Sequence, residues 1–177
     1  MPETPGSVIL ADLLSVKALQ FGDFTLASGK RSSYYVDIKR AVTQPRVLSS
    51  IAKAMHRYTP KVDRIAGVEL GAVPIATALG LESGKPILMV RKQRMEHGLS
   101  KDFEGELNAG DRVLFVEDVV TTGGTLRSAI ERLQIHGAVI EDCVCVVDRE
   151  EGGRMLLAEI SVQLHALLSA KDLLDAA

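Results

Sequence analysis

The chain has 177 residues, 46% hydrophobic and 25% charged, with 21 basic against 23 acidic side chains and a formal net charge of −2. A chain of this size buries roughly 70% of its unfolded surface, so a single domain spanning 1–177 needs neither disulfides nor a structural metal to hold a core. The near balance of charge excludes a surface built throughout to coat nucleic acid or an anionic membrane, and neither partner is expected.

The first residues, Met1-Pro-Glu-Thr-Pro-Gly6, lack a basic region followed by an apolar run, so no signal peptide is expected. Apolar residues at Val8, Ile9, Leu13, Leu14, Val16 and Leu19 fit one helical stripe, which Gly22 is expected to end. Extended segments follow at Phe24 to Ala27 and Tyr34 to Ile38, split by a Ser28-Gly29 turn. Residues 46 to 58 are helical in period, and Arg64 to Val68 reads as a strand. Ala72 to Leu81 reads as a helix with Pro74 in its first turn. It lies in the longest uncharged stretch, whose 12 residues are too short to span a membrane, which takes about 20. Strands are then expected at Ile87 to Val90, Arg112 to Val116 and Ala138 to Val147, with a helix at Gly123 to His136. The two cysteines, Cys143 and Cys145, sit inside the last of these strands and read as small core residues of a reduced, cytoplasmic protein. A helix near Met155 to Ile160, a strand at Val162 to Leu167 and a short terminal helix complete the chain. Near-continuously apolar strands alternating with amphipathic helices predict an α/β fold with a mainly parallel central sheet flanked by helices. In such sheets the chemistry belongs at the carboxyl ends of the strands.

Two common phosphate motifs fail. Gly80-Leu-Glu-Ser-Gly84-Lys85-Pro86 is one residue short of a P-loop, puts Pro86 where a hydroxyl is needed, and reads instead as a helix end and turn. No Gly-x-Gly-x-x-Gly follows a strand. The informative segment is Val113-Leu-Phe-Val-Glu-Asp-Val-Val-Thr-Thr-Gly-Gly-Thr125, an apolar strand running into adjacent carboxylates and then a Thr/Gly-rich helix start. The glycines let backbone N–H groups turn inward, and the helix start and threonine hydroxyls complete a pocket for a phosphate dianion. Two carboxylates beside a phosphate make sense when the ligand also carries a diol, so the pattern suggests a ribose 5-phosphate unit. The plainer alternative has Glu117 and Asp118 solvating a strand end and the threonines capping the helix. The second informative stretch, 91–105, carries Arg91, Lys92, Arg94, His97 and Lys101 without hydrophobic period, and reads as a long mobile loop. A cationic loop suits a pyrophosphate, and a solvated basic loop is its plain alternative.

The run from Val113 to Thr125 resembles the phosphoribosyl diphosphate (PRPP) binding motif of type I phosphoribosyltransferases. Resemblance to the orotate branch extends through Phe21 to Lys30 with Ser33-Tyr-Tyr-Val-Asp37, Gly67-Val-Glu-Leu-Gly-Ala-Val-Pro74, Val90-Arg-Lys92 with Glu96-His-Gly98, and Val146-Val-Asp-Arg-Glu-Glu-Gly-Gly153. The resemblance implies the type I phosphoribosyltransferase fold, with a small N-terminal hood (1–40) and a mobile catalytic loop (91–105). It implies Mg2+-dependent transfer of ribose 5-phosphate from PRPP to orotate, giving orotidine 5′-monophosphate and pyrophosphate for UMP synthesis.

Carried over by position, Thr121, Thr122, Gly123, Gly124 and Thr125 would hold the 5-phosphate, after Val119 and Val120, and Glu117 and Asp118 the ribose hydroxyls. Arg91, Lys92, His97 and Asp118 would be catalytic, with the first three also binding PRPP. Gly67 to Ala72 would meet the pyrophosphate through backbone N–H groups. Arg149, with Thr121, would bind orotate, its planar fork matched to the carboxylate, near Phe24, Thr25, Tyr34 and Tyr35. Mg2+ would be held by substrate and water rather than by a dedicated protein site. The resemblance further implies a homodimer whose loops reach into each other's active sites. Three positions depart from the family pattern: Met95 stands where a loop lysine is usual, Ala27 lacks a family lysine, and Gly71 stands where some members carry one. A transferase for a purine base and a PRPP-sensing, RNA-binding regulator are the alternatives, disfavoured respectively by Arg149 and by the lack of a basic face.

Overall fold

The computed structural model describes residues 4–25, 31–92 and 102–176. The core is a six-stranded sheet in the order β5-β4-β3-β6-β7-β8. Its strands are β3 (Arg64–Val68), β4 (Ile87–Val90), β5 (Phe103–Glu104), β6 (Val113–Val120), β7 (Asp142–Asp148) and β8 (Gln163–Ser169). All neighbours run parallel except β4 and β5. β1 (Leu19–Thr25) and β2 (Arg31–Val36) form a separate antiparallel hairpin within the segment expected as a hood over 1–40.

Side-chain alternation along the strands divides the core in two. Leu114, Val116, Val144 and Val146 face one layer, with α1 (Pro5–Ser15), α3 (Pro45–Met55) and α4 (Ala72–Ser83). Val113, Phe115, Cys143 and Cys145 face the other, with α5 (Gly124–Ile135) and α6 (Gly153–Ala158). Both faces are covered, which is why these strands read as nearly unbroken apolar runs. Phe115 is fully buried, and burial of such a side chain stabilises by about 1.5–3 kcal/mol.

The chain leaves β3 through α4 toward β4, but leaves β6 through α5 toward β7 on the other side. With α4 and α5 on opposite faces, the carboxyl ends of β3 and β6 diverge into a crevice at the topological switch point.

Several boundaries differ from the sequence reading. The first helix stops at Ser15, because Lys17 takes a positive φ of 56° and turns the chain into β1. Gly22, expected to end that helix, instead lies inside β1 where the register with β2 shifts. A short helix α2 (Ile38–Val42) and the two-residue β5 were not expected, being too short for a periodic signal. β6 continues through Glu117 and Asp118 to Val120, so the carboxylates stand on the strand itself. β7 begins at Asp142 rather than Ala138, after an isolated bridge between Arg112 and Val139. The P-loop-like stretch is indeed a helix end, with Gly84 in the left-handed conformation at the C-cap of α4. The terminal helix is α7 (Ala170–Leu174).

Candidate active site

The switch-point crevice is a cleft of about 480 Å³, lined by Lys39 of α2, the 69–71 turn after β3, Lys92, and residues 117–126. Each wall follows from local sequence. At the end of β6 the chain turns through Thr121 and Thr122 to Gly123, whose φ of +81° needs glycine. Gly123 is the N-cap of α5, and no side chain caps this helix. The threonines therefore do not cap it, contrary to the plainer alternative, and the first-turn N–H groups are left for an anion.

Behind this loop sits the glycine pair of the Asp-Arg-Glu-Glu-Gly-Gly segment. The Gly153 N–H donates to the Thr121 carbonyl at 3.0 Å. A Cβ on Gly153 would lie 2.4 Å from Val120 Cγ1 and 2.8 Å from Thr121 O, and one on Gly123 only 3.0 Å from Gly153 Cα. The two sequence motifs thus brace each other through backbone contact that tolerates no side chain.

Beneath the loop, the Asp118 N–H donates to Glu117 Oε1 at 2.9 Å, and the Val119 N–H to Asp118 Oδ1 at 2.8 Å. Burial, and then hydrogen bonding and repulsion from Asp118, push the Glu117 carboxyl well above the usual carboxylate range. Asp118 Oδ2 rests against the Cα of Gly71, where a Cβ would be only 2.0 Å away. Lys39 Nζ lies 3.8 Å from the same oxygen.

The 69–71 turn contains a cis peptide between Glu69 and Leu70. Glu69 ties it to the start of the basic segment: its carboxylate accepts from the Lys92 N–H at 3.0 Å and from Arg91 Nη1 at 3.3 Å. Lys92 lines the cleft. Arg91 does not, because its guanidinium is drawn between Glu69 and Glu104, 3.6 Å from the latter. α5, which begins at the 121–123 turn, also grips this stem from its other end. Arg132 donates to the Arg91 carbonyl, and His136 Nε2 lies 3.1 Å from the Asp102 carboxylate. The expected roles of Arg94, Met95, His97 and Lys101 lie outside the described residues, as do Ala27 and the Ser28-Gly29 turn.

Arg149 follows β7, one strand over, and its N–H donates to the Val120 carbonyl at 2.9 Å. Asp148, 1% exposed, shapes this turn by accepting from the Glu150 N–H and from Arg154. The Arg149 side chain is 11% exposed and lies 3.1 Å from Glu151 Oε1. Its guanidinium carbon stands 4.8 Å from the Tyr34 ring centroid, with Nη2 3.5 Å from Ser32 Oγ. Stacking and pairing of this kind fix the fork in one orientation. Burial pushes the Tyr34 hydroxyl up, with the Arg149 charge opposing it. Tyr35 points the other way, exposed and paired with Phe24 at 5.7 Å, so only one of the adjacent tyrosines touches Arg149, as strand alternation requires.

The structure thus brings residues 117–125, Lys92 and Arg149 to one end of the sheet. The sequence reading missed Lys39, the Glu69 tie and the Gly153 brace. Among the described residues no group of three or more His, Cys, Asp or Glu could hold a metal ion.

A family model described as phosphoribosyl transferase domain matches residues 40–164. The chain is 49% identical over 163 residues to an orotate phosphoribosyltransferase of Pyrococcus abyssi, covering 90% of each chain. It is 51% identical over 164 residues to that of Methanothermobacter thermautotrophicus, covering 92% of this chain and 91% of the relative. It belongs to the orotate phosphoribosyltransferase family. Solved orotate phosphoribosyltransferases superpose accordingly: that of Aeropyrum pernix gives a TM-score of 0.86 at 34% identity, covering 95% of this chain and 97% of its own. A Mycobacterium tuberculosis orotate phosphoribosyltransferase in complex with PRPP gives 0.76 at 31% identity, covering 93% and 98%. An adenine phosphoribosyltransferase of Thermoanaerobacter pseudethanolicus, at 17% identity and a TM-score of 0.69, shares the fold alone.

Proposed function

We propose that this chain transfers ribose 5-phosphate from PRPP to N1 of orotate, releasing pyrophosphate and forming orotidine 5′-monophosphate in the synthesis of UMP. The observation that carries the reading is the placement of Arg149. A nearly buried, stacked guanidinium stands one strand from an uncapped Thr/Gly loop, at the same carboxyl end of the sheet as the cleft, so a carboxylate-bearing base held there would lie next to a phosphate held by the loop. The relatives named above support the same substrates.

Residues 121–125 would hold the 5-phosphate through N–H and hydroxyl donors, and Glu117 and Asp118 would accept from the ribose diol. As the C1–O bond breaks, its electron pair goes to the departing pyrophosphate and positive charge grows on the ribose ring. The carboxylate of Asp118 would stabilise that ring charge, and Lys92, with the backbone of the 69–71 turn, would meet the pyrophosphate. Arg149 orients the base so that N1 approaches C1 as the bond opens. The oxygen donors of Glu117 and Asp118 suit a small hard cation held mainly by substrate and water, and they are the residues that would hold Mg2+. Mg2+ would supply Lewis-acid neutralisation of the pyrophosphate oxygens. Family resemblance supports His97 among the phosphate contacts, and a cytoplasmic homodimer in which loops cross between active sites; Arg91, drawn between Glu69 and Glu104, holds the base of its segment instead.

The test offers the purified protein PRPP, Mg2+ and orotate, uracil, adenine, guanine or hypoxanthine in turn, and follows pyrophosphate release. Release with orotate alone is expected. Release with a purine, or with no base, would overturn the reading.

A further inference from the structure

The cleft has a charge problem. Among its described lining residues the carboxylates are Glu69, Glu117 and Asp118, while the cations are Lys39 and Lys92. Glu69 already engages the Lys92 N–H and Arg91, and it holds the Arg91 guanidinium away from the cleft. The turn after β3 offers no side-chain cation, since Asp118 Oδ2 occupies the space a Cβ on Gly71 would need, 2.0 Å away. Positive charge at the junction of turn and carboxylates must therefore come from another element.

We infer that Lys39 is a further PRPP-binding and catalytic residue, whose ammonium contacts the substrate where ribose joins pyrophosphate. The inference rests on the reading of the cleft as a PRPP site. Lys39 Nζ is 3.8 Å from Asp118 Oδ2, the oxygen lying against Gly71, so the ammonium stands over the point where the β3 turn meets the ribose carboxylates. It is also the cation whose field opposes the upward shift of Glu117.

The helix that carries it is anchored. Asp37 caps α2 by accepting from the Arg40 N–H at 3.0 Å, and its own N–H donates to the Ala18 carbonyl at 2.7 Å. Arg40 Nε donates to the Val16 carbonyl at 3.1 Å, and Ile38, Ala41 and Val42 are buried. The Lys39 side chain itself is 67% exposed. Asp118 is largely buried, its side chain 15% exposed, but the lysine end is in solvent and the 3.8 Å separation is loose, so the pairing adds little to folding, and a fixed base with a long free stem suits capture of a ligand. During transfer the C1–O bond gives its electron pair to pyrophosphate, and Lys39 meets that growing charge without giving up a proton.

The test compares wild type, Lys39→Gln, Lys39→Arg and, as a control for loss of one surface charge, Lys53→Gln. PRPP binding is measured calorimetrically with Mg2+ and no base, beside steady-state kinetics with orotate. Lys39→Gln is expected to weaken PRPP binding about tenfold or more, as for loss of a charge-assisted contact, and to lower kcat while the melting temperature stays near wild type. Lys39→Arg and Lys53→Gln should bind PRPP within about threefold of wild type. A Lys39→Gln protein that binds PRPP within twofold of wild type and keeps its kcat overturns the inference and leaves the cleft reading intact. A wild type that binds no PRPP overturns both.

Discussion

Replacing Gly153 by alanine sets a methyl group 2.4 Å from Val120 Cγ1 and 2.8 Å from the Thr121 carbonyl oxygen. Ordinary contact begins near 3.4 Å, so these groups must separate by about 0.6–1 Å. Val120 is 2% exposed and Thr121 O is backbone, so neither neighbour can simply swing into solvent. The strain falls on the 121–125 loop and stretches the 3.0 Å hydrogen bond from Gly153 to Thr121. Overpacking of this kind costs about 1–3 kcal/mol, which for a domain of this size lowers the melting temperature by roughly 2–4 °C per kcal/mol. A loop displaced by about 1 Å should lose turnover on the order of a hundredfold. Gly152→Ala is the matched control. Its φ of +105° makes a side chain strained, but no atom lies within 4 Å of the added Cβ. It should lose about 1–2 kcal/mol of stability and keep the KM for PRPP. Thermal denaturation and steady-state assays with varied PRPP read both effects. Gly153→Ala with kcat and PRPP KM within twofold of wild type would refute the bracing argument.

Two other expectations follow from buried groups. The Glu117 carboxyl is held above its ordinary 4.5 by burial and Asp118, so its ionisation opposes folding. The stability it lends is full below that value and is lost as pH rises through the elevated folded pKa. Glu117→Gln should therefore melt higher than wild type at pH 7 while binding PRPP less well. The gain should vanish as pH falls below about 4.5, and an equal or lower melting temperature at pH 7 would contradict this. Burial pushes the thiols of Cys143 and Cys145 up as well. Neither should react with a thiol-specific disulfide reagent in the native protein at pH 7.5, and both should react once it is unfolded; fast native labelling would count against a closed core on the α5 face.

Most of the fold could be read from the pattern of apolar residues, and the misses have physical causes. The expected bounds of β3 and β4 match the observed ones because, Arg64 apart, each is an unbroken apolar run set off by polar or turn residues. The end of α1 was misplaced because Val16 and Leu19 continue its stripe, and only the positive φ at Lys17 breaks it. The end of β6 was placed too early because Glu117 and Asp118 interrupt hydrophobicity without interrupting the ladder to β7. The 121–125 loop is legible because its residues are contiguous. Lys39, the Glu69 tie and the Gly153 brace were not, since each joins segments brought together only by the sheet order. Gly153 had a faint signal in its glycine pair, and Lys39 had none.

Arg149 and its carboxylate partner are the centre of the account. The decisive measurement is kcat/KM for orotate against uracil, which lacks the carboxylate, with PRPP and Mg2+, in wild type and in Arg149→Gln. Wild type should prefer orotate by about a hundredfold or more, and Arg149→Gln should lose most of that preference, chiefly through orotate. A wild type that uses both bases equally, or an Arg149→Gln protein that keeps the full preference, would contradict it.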